Sequence, residues 1–449
     1  MLSPSDPRTA RLLDLAQSTF GRAPTFVVRA PGRVNLLGEH TDYNMLPVLP
    51  MAIERCVLIA GAPRDDRWVT LTNAGGFPAR RYELTAPIPP FAPGDWGNYS
   101  KAAAQGLGNH YGRALARGAD LLVDGDIPSG AGLSSSSALV VANALALLAA
   151  NDSAIAFEML AEILPAAERY VGTLSGGMDQ AISLLAQKGH ALRIDFAPLR
   201  HRVVPLPPHH AIVVCHSLVQ AEKSGAAKRA YNRRVVECRL ACRVLENALR
   251  AHGAGPLSTL GDLTRLFPQR SLPSFVEDLT RLLPEEPIDI PRIAAAAATD
   301  AADIRRTCAV ADDDNGPFAV LRRARHVLRE AERVDRAERV LRAGDAGEFG
   351  RLMDASHESC RDDYDISCPE LELLVRIAKE SGALGARLTG AGFGGCTVNL
   401  VPSPQVAEFL LAVDTRFYAR RLARGASQDD FRFVFSPQEG AETMMLAQG

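Results

Sequence analysis

Nowhere in these 449 residues does a glycine precede a lysine. The Gly-Lys step of a P-loop is therefore missing, and any nucleotide site must be built another way. CxxC pairs are missing too: the eight cysteines are scattered. Cys238 and Cys242, one helical turn apart, read as core packing rather than a metal site. Free thiols in a chain of this size point to a reducing cytoplasm. No charge of one sign dominates, since 50 Lys and Arg face 52 Asp and Glu for a net charge of −2. That leaves no electrostatic case for nucleic acid as a main partner. The first residues, MLSPSDPRTARLLDLAQ, are a polar start followed by an amphipathic helix. They lack the apolar core of a signal peptide, so we expect a cytoplasmic protein with no membrane partner. What is present, 47% hydrophobic and 23% charged residues, describes a globular chain long enough for two or three domains.

The most informative stretch runs from residue 124 to 150, DGDIPSGAGLSSSSALVVANALALLAA. Residues 119–123 end a strand. Pro128, Gly130 and Gly132 then force a loop without bulky side chains. Four serines, Ser134 to Ser137, open a helix that is apolar on every face and must be buried. A helix N-terminus presents unpaired N–H groups and partial positive charge, and a glycine-rich loop delivering into it makes a phosphate cradle. The bland alternative is a serine-capped helix after an ordinary turn. Four serines exceed capping needs, and two further stretches support the phosphate reading.

The first follows the strand 26–28, where Arg33, Asn35, Glu39, His40 and Asp42 crowd into ten residues between apolar strands. Such clusters beside buried strands form sites more often than solvated hairpin loops. The second is Gly390-Ala391-Gly392-Phe393-Gly394-Gly395, formally GxGxxG. A dinucleotide fingerprint needs a helix next, and residues 396–401 read as a strand, so the Rossmann reading fails. By itself this run is a tight glycine hairpin. Asp179, after two glycines, reads as the N-cap of a helix over 180–187. Glu168 ends a helix over 155–169 that Pro165 kinks or breaks, and is poorly placed against the helix dipole, where a cation would explain it.

Prolines across residues 197–209 mark the best domain boundary, which divides the chain into 1–200 and 201–449. The second half is mostly helical. Residues 226–252 form a long amphipathic helix, 291–310 an alanine-rich one, and 318–343 an Arg/Glu-laced helix whose alternating charges suit a solvated face. Residues 253–316 carry little signal.

Taken together, these stretches resemble the GHMP kinase superfamily, and specifically its galactokinase branch. The run from Gly32 to Asn44, GRVNLLGEHTDYN, is close to the galactokinase signature letter for letter. Residues 128–138 resemble the superfamily's phosphate-binding motif, and 388–397 its C-terminal motif. Gly177-Met178-Asp179-Gln180 and the segment from Arg361 through Leu371 are also similar. Within the branch, Gly176 to Gln180, the fourth serine and residues 234–240 lean toward N-acetylgalactosamine kinases. Thr41, Asn44 and Tyr231 lean toward galactokinases. One position departs: a glycine usually stands two residues after the signature's final Asn, and here it is Leu46, which bears on the shape of the sugar pocket.

The resemblance implies a two-domain α+β GHMP kinase fold, with a ribosomal protein S5 domain 2-like N-terminal domain and a ferredoxin-like C-terminal domain. It implies transfer of the γ-phosphoryl of ATP to the anomeric C1 hydroxyl of galactose, a reaction carried by positioning and charge stabilisation. Asp179 matches the catalytic aspartate that accepts the hydroxyl proton, and Arg33 the arginine that keeps it ionised and offsets phosphoryl charge. Glu39, His40, Asp42, Gly176 and Tyr231 match the sugar pocket. Gly130, Gly132, Ser134, Ser135 and Ser136 match the phosphate loop, and Trp96 lies near the adenine. Ser136 and Glu168 match the Mg²⁺ ligands, with ATP as co-substrate. The partners are sugar and ATP, and the expected state is a monomer or weak homo-oligomer. Two alternatives stay open: a 1-kinase for N-acetylgalactosamine or another galactose-like sugar, and a non-catalytic galactose/ATP sensor, which the intact 134–138 segment disfavours.

Overall fold

The computed structural model describes residues 2–172, 174–220, 225–253, 255–423, 427 and 430–447. Its strands are β1 Phe26–Leu37, β2 Leu49–Pro63, β3 Trp68–Asn73, β4 Arg80–Glu83, β5 Ala119–Gly125, β6 His190–Phe196, β7 Leu199–Pro205, β8 His210–His216, β9 Gly385–Thr389, β10 Cys396–Pro402, β11 Arg432–Phe435 and β12 Glu442–Met445. The chain divides into two compact units: residues 1–34, 50–192 and 435–449 form the first, and 35–49 with 193–434 the second.

The first unit is built on a six-stranded sheet in the order β12-β1-β2-β5-β3-β4. β2 pairs antiparallel with β5, and β3 pairs parallel with β5. The helices Gly97–Tyr111, Ser135–Ala150, Phe157–Glu168 and Met178–Leu185 pack on one another. Ser135–Ala150 is the apolar helix expected from sequence, and every residue from Ala142 to Leu148 is buried. Each large aliphatic side chain so covered contributes about 1.5–3 kcal/mol relative to exposure. Pro165 lies inside Phe157–Glu168 and does not break it. A Cβ at Gly106 would come 2.8 Å from Cβ of Ala167, so a glycine lets these two helices approach closely.

β1 runs well past the 26–28 strand read from sequence. It is extended through Leu37, and all but one of its residues are buried. Polarity misleads here because Arg33 is buried with partners rather than solvated.

The second unit holds a four-stranded sheet in the order β11-β8-β10-β9. With the helices Pro369–Glu380 and Val406–Arg416, the chain passes β8, helix, β9, β10, helix, β11, which is the ferredoxin-like βαββαβ order. β10 pairs antiparallel with both β8 and β9. Between β8 and Pro369–Glu380 lies a helical layer led by Ala226–Leu249, Val320–Arg342 and Ala346–Asp362. The alanine-rich helix expected over 291–310 is two helices, Ile290–Ala296 and Ala301–Cys308. Asp300 starts the second by accepting from the backbone N–H of Asp303, and this cap signal outweighs alanine propensity. Val320–Arg342 is not a solvated face: Arg323, His326 and Glu330 are buried along it. The proline-rich stretch 197–209 contains β7, which pairs with β6.

Candidate active site

In the first unit the loop before the serines climbs through left-handed glycines, Gly130 at φ +70° and Gly132 at +75°, into Ser134. Ser134 is the N-cap of the apolar helix, itself left-handed at φ +61°, and its side chain makes no capping bond. Its hydroxyl donates instead to Asp179 Oδ2. The serine-cap reading therefore fails, and so does the cap expected at Asp179. The helix begins at Met178 after the N-cap Gly177, so the Asp179 carboxylate stands in the first turn rather than at the cap position.

That carboxylate meets Arg33. Arg33 Nε donates to Asp179 Oδ1 at 2.8 Å and Nη2 to Oδ2 at 2.9 Å, a two-pronged pair. The guanidinium is held from behind by the Gly132 carbonyl at 2.6 Å, and the Arg33 N–H donates to Leu133 O at 3.1 Å. Gly32 allows this approach, since a Cβ there would lie 2.7 Å from the Leu133 carbonyl. Arg33 is 5% exposed.

Glu168 is buried and accepts from Ser137 Oγ at 2.6 Å and Ser175 Oγ at 3.1 Å. Ser137 follows directly on Ser136, the serine that the resemblance matches to a Mg²⁺ ligand beside Glu168. Ser135 and Ser136 sit half-buried in the first helical turn, and Gly176 is half-buried just before Gly177. Trp96 is the N-cap of Gly97–Tyr111, its indole N–H donates to Pro78 O at 2.9 Å, and its ring lies 6.1 Å from exposed Phe77.

In the second unit the residues after β1 form a tight turn, with His40 and Met45 left-handed and Asp42–Asn44 a 3₁₀ turn. Glu39, His40 and Asp42 are all buried. Glu39 is pinned three ways. Arg387, wholly buried in β9, donates Nη2 to Glu39 Oε2 at 2.8 Å and Nη1 to the Asn35 carbonyl at 2.9 Å. Glu330 accepts from the Gly38 N–H at 2.9 Å and the Glu39 N–H at 3.3 Å, while holding Ser356 and Arg333 at 2.6 Å each. His326 takes the Glu39 carbonyl at 3.1 Å. Burial opposes charge on Arg387, but Glu39 and Glu330 nearby outweigh it and hold its pKa above the usual value.

His40 is oriented just as firmly. The Ala391 carbonyl, 3.2 Å from Nε2, can only accept, so Nε2 carries the proton. Nδ1 then accepts from the Tyr43 hydroxyl at 2.9 Å, and Tyr43 in turn accepts from Tyr364 at 2.6 Å. Tyr231 lies beside them, 5.2 Å ring to ring from His40. The glycine run 390–395 is the hairpin between β9 and β10, with positive φ at Gly390, Gly392, Phe393, Gly394 and Gly395.

Burial, then the neighbouring His326, Arg234 and Arg387, push the His40 pKa down to about 3. Burial pushes His326 down to about 4. A depressed folded pKa means that stability is fully present above the unfolded value near 6.5 and is lost as pH falls through the folded one. Between pH 6.5 and 4.5 each such site steepens the loss toward about 1.4 kcal/mol per pH unit. Melting scans across that range should show His326→Gln with a shallower acid slope than the parent. Parallel slopes would mean the ring is already charged in the fold.

Three stretches of the chain are matched by sequence models: "Galactokinase galactose-binding signature" over residues 17–63, "GHMP kinases N terminal domain" over 98–187 and "GHMP kinases C terminal" over 337–419. A galactokinase of Chloroflexus aggregans is 38% identical over 397 residues, 88% of each chain. The chain belongs to the galactokinase family. It is an ATP-dependent sugar kinase of the GHMP superfamily. The human galactokinase is 35% identical across 94% of this chain and 97% of its own. The galactokinase of Lactococcus lactis, solved with galactose, superposes with a TM-score of 0.78 at 27% identity, over 96% of this chain and 99% of that one. A mevalonate kinase of Methanococcus jannaschii, at 17% identity and TM-score 0.54, shares the fold.

Arg387, Glu330 and His326 were not singled out from sequence, and Ser137 and Tyr364 were named there without these roles. Two signals pointed to the first three. Arg387 is the one charged residue in the otherwise apolar run Ala386-Arg387-Leu388, and His326 and Glu330 fall in register with the apolar stripe of Val327 and Val334.

Proposed function

We propose that this galactokinase-family chain passes the γ-phosphoryl of ATP to the C1 hydroxyl of galactose, with Asp179 and Arg33 at the reacting end. The observation that carries the reading is the bidentate Arg33–Asp179 pair seated against the serine-headed helix. Asp179 accepts the hydroxyl proton as the phosphoryl departs from ADP, and Arg33 keeps the carboxylate aimed and offsets charge on the phosphoryl. Gly130, Gly132, Ser134, Ser135 and Ser136 line the phosphate side, and Trp96 stands by the adenine.

Kinases of this kind use ATP with a divalent cation, and we assign Mg²⁺ to Glu168 and Ser136. Glu168 fits a hard cation: it is a buried carboxylate served by two hydroxyls, with no Lys, Arg or His paired to it among the described residues. Bound there, Mg²⁺ supplies charge neutralisation on the phosphates. Ser137 and Ser175 orient the carboxylate.

Glu39, His40, Asp42, Gly176 and Tyr231 read the sugar. A cytoplasmic setting suits the eight unpaired thiols, and no helix among the described residues is long and apolar enough to cross a membrane. An ADP-release assay against free sugars tests the reading. Galactose should turn over faster than N-acetylgalactosamine, and a reversed order would move the assignment to a 2-acetamido sugar kinase. Asp42→Ala should raise the sugar KM and leave the ATP KM unchanged. Equal losses on both substrates would make the signature turn a structural element only.

A further inference from the structure

The segment 253–316, silent in sequence, makes one contact with the sugar turn that is unusually close. Gly261 N–H donates to the Asn44 carbonyl at 2.9 Å. A Cβ on Gly261 would lie 2.6 Å from Asn44 O and 2.8 Å from Met45 O, both backbone atoms. Gly261 has ordinary helical angles, φ −65° and ψ −22°. A glycine is therefore needed there for proximity and not for conformation. The approach is held by Asp262, whose Oδ2 accepts from the N–H groups of Ser258 at 2.9 Å and Thr259 at 3.0 Å.

Leu46, in the same turn, is 3% exposed and belongs to the apolar cluster that also holds Leu257, Leu260, Leu263 and Phe267. The turn and this segment thus share one core. From Asn44 the contact reaches the sugar residues directly. Asn44 Nδ2 donates to the His40 carbonyl at 3.1 Å, and Asp42 opens the 3₁₀ turn that Asn44 closes.

We propose that residues 257–267 buttress the sugar-recognition turn, and that Gly261 is a positioning residue that sets where Asp42 and His40 stand. This rests on the reading of Asp42 and His40 as sugar-binding groups. The atoms that added bulk at 261 meets first are all backbone of the turn, so its effect is selective for the sugar.

Gly261→Ala in the full chain tests this, with Gly255→Ala as its control. Position 255 lies in the same segment, and a Cβ there meets only Leu266 Cδ2 at 3.9 Å. We expect Gly261→Ala to raise the galactose KM roughly 10- to 100-fold, the size of effect that a shift of about 1 Å in a positioned group produces. The ATP KM should stay within about twofold, and Gly255→Ala should match the parent on both substrates. If Gly261→Ala fails to fold, Leu46→Ala loosens the core that the turn and the segment share and should raise the galactose KM with the ATP KM unmoved. An unchanged galactose KM in the variant measured, or equal loss of both substrates, overturns the buttress while Asp42→Ala still raises the galactose KM. If Asp42→Ala also leaves it unchanged, the sugar reading of the turn has failed first.

Discussion

Asp179→Ala should lower kcat by about 10²–10⁴-fold, the usual contribution of a positioned proton acceptor. The carboxylate is not a cap and has no place in an apolar core. It is occupied by Arg33 through two hydrogen bonds and by the Ser134 hydroxyl. Removing it also leaves a guanidinium that is 5% exposed without its anion, so some stability is lost as well. Asp179→Asn separates the two effects. The amide keeps the shape and can still accept from Arg33, but it is far too weak a base to take a proton. Turnover should therefore be lost in both variants, with the melting temperature falling more in the alanine one. Single-turnover phosphoryl transfer at saturating ATP and sugar is the measurement. Turnover close to the parent in Asp179→Asn would remove the base from the mechanism and leave Arg33 and the serine loop to supply the rate.

The second large effect is structural and lies in the other unit. Arg387→Met should cost about 3–5 kcal/mol of stability, because it takes the guanidinium away from a buried carboxylate. Arg387 is 0% exposed, and its Nη2 is the cation on Glu39. Arg333 serves Glu330 at 2.6 Å. Neutralising both partners in Glu39→Gln/Arg387→Met should recover most of that loss, since no uncompensated charge remains. Sugar binding should stay poor in the double variant, because the carboxylate that we propose to read a sugar hydroxyl is gone. Urea titrations of the single and double variants, with a galactose KM for each, make the cycle. A single variant within about 1 kcal/mol of the parent would show that Glu39 is neutral or solvated, against its three-sided burial.

The fold's cores and the chemistry of its residues were legible along the chain. The all-round apolar helix 135–150 could only be buried, and the strand after Gly390 to Gly395 ruled out a dinucleotide fold before any coordinates. The serine run pointed to a phosphate cradle and the crowd of ionisable groups from Arg33 to Asp42 to a site of some kind, because those residue types have few other reasons to gather; only the resemblance to galactokinases made that site an expected sugar turn. Only the tertiary structure decided which groups meet. It took Ser134 and Asp179 away from capping and gave them to each other and to Arg33. It brought Ser137 to Glu168, and it turned a helix read as solvated into the support of Glu39. The reason is that hydrogen bonds and ion pairs form across space: residues 33 and 179, or 39 and 387, lie far apart in sequence, and no local periodicity records that they touch. The segment 253–316 is the extreme case, since its closest tie to the sugar turn is a backbone contact at a glycine, which has no side chain for sequence to display.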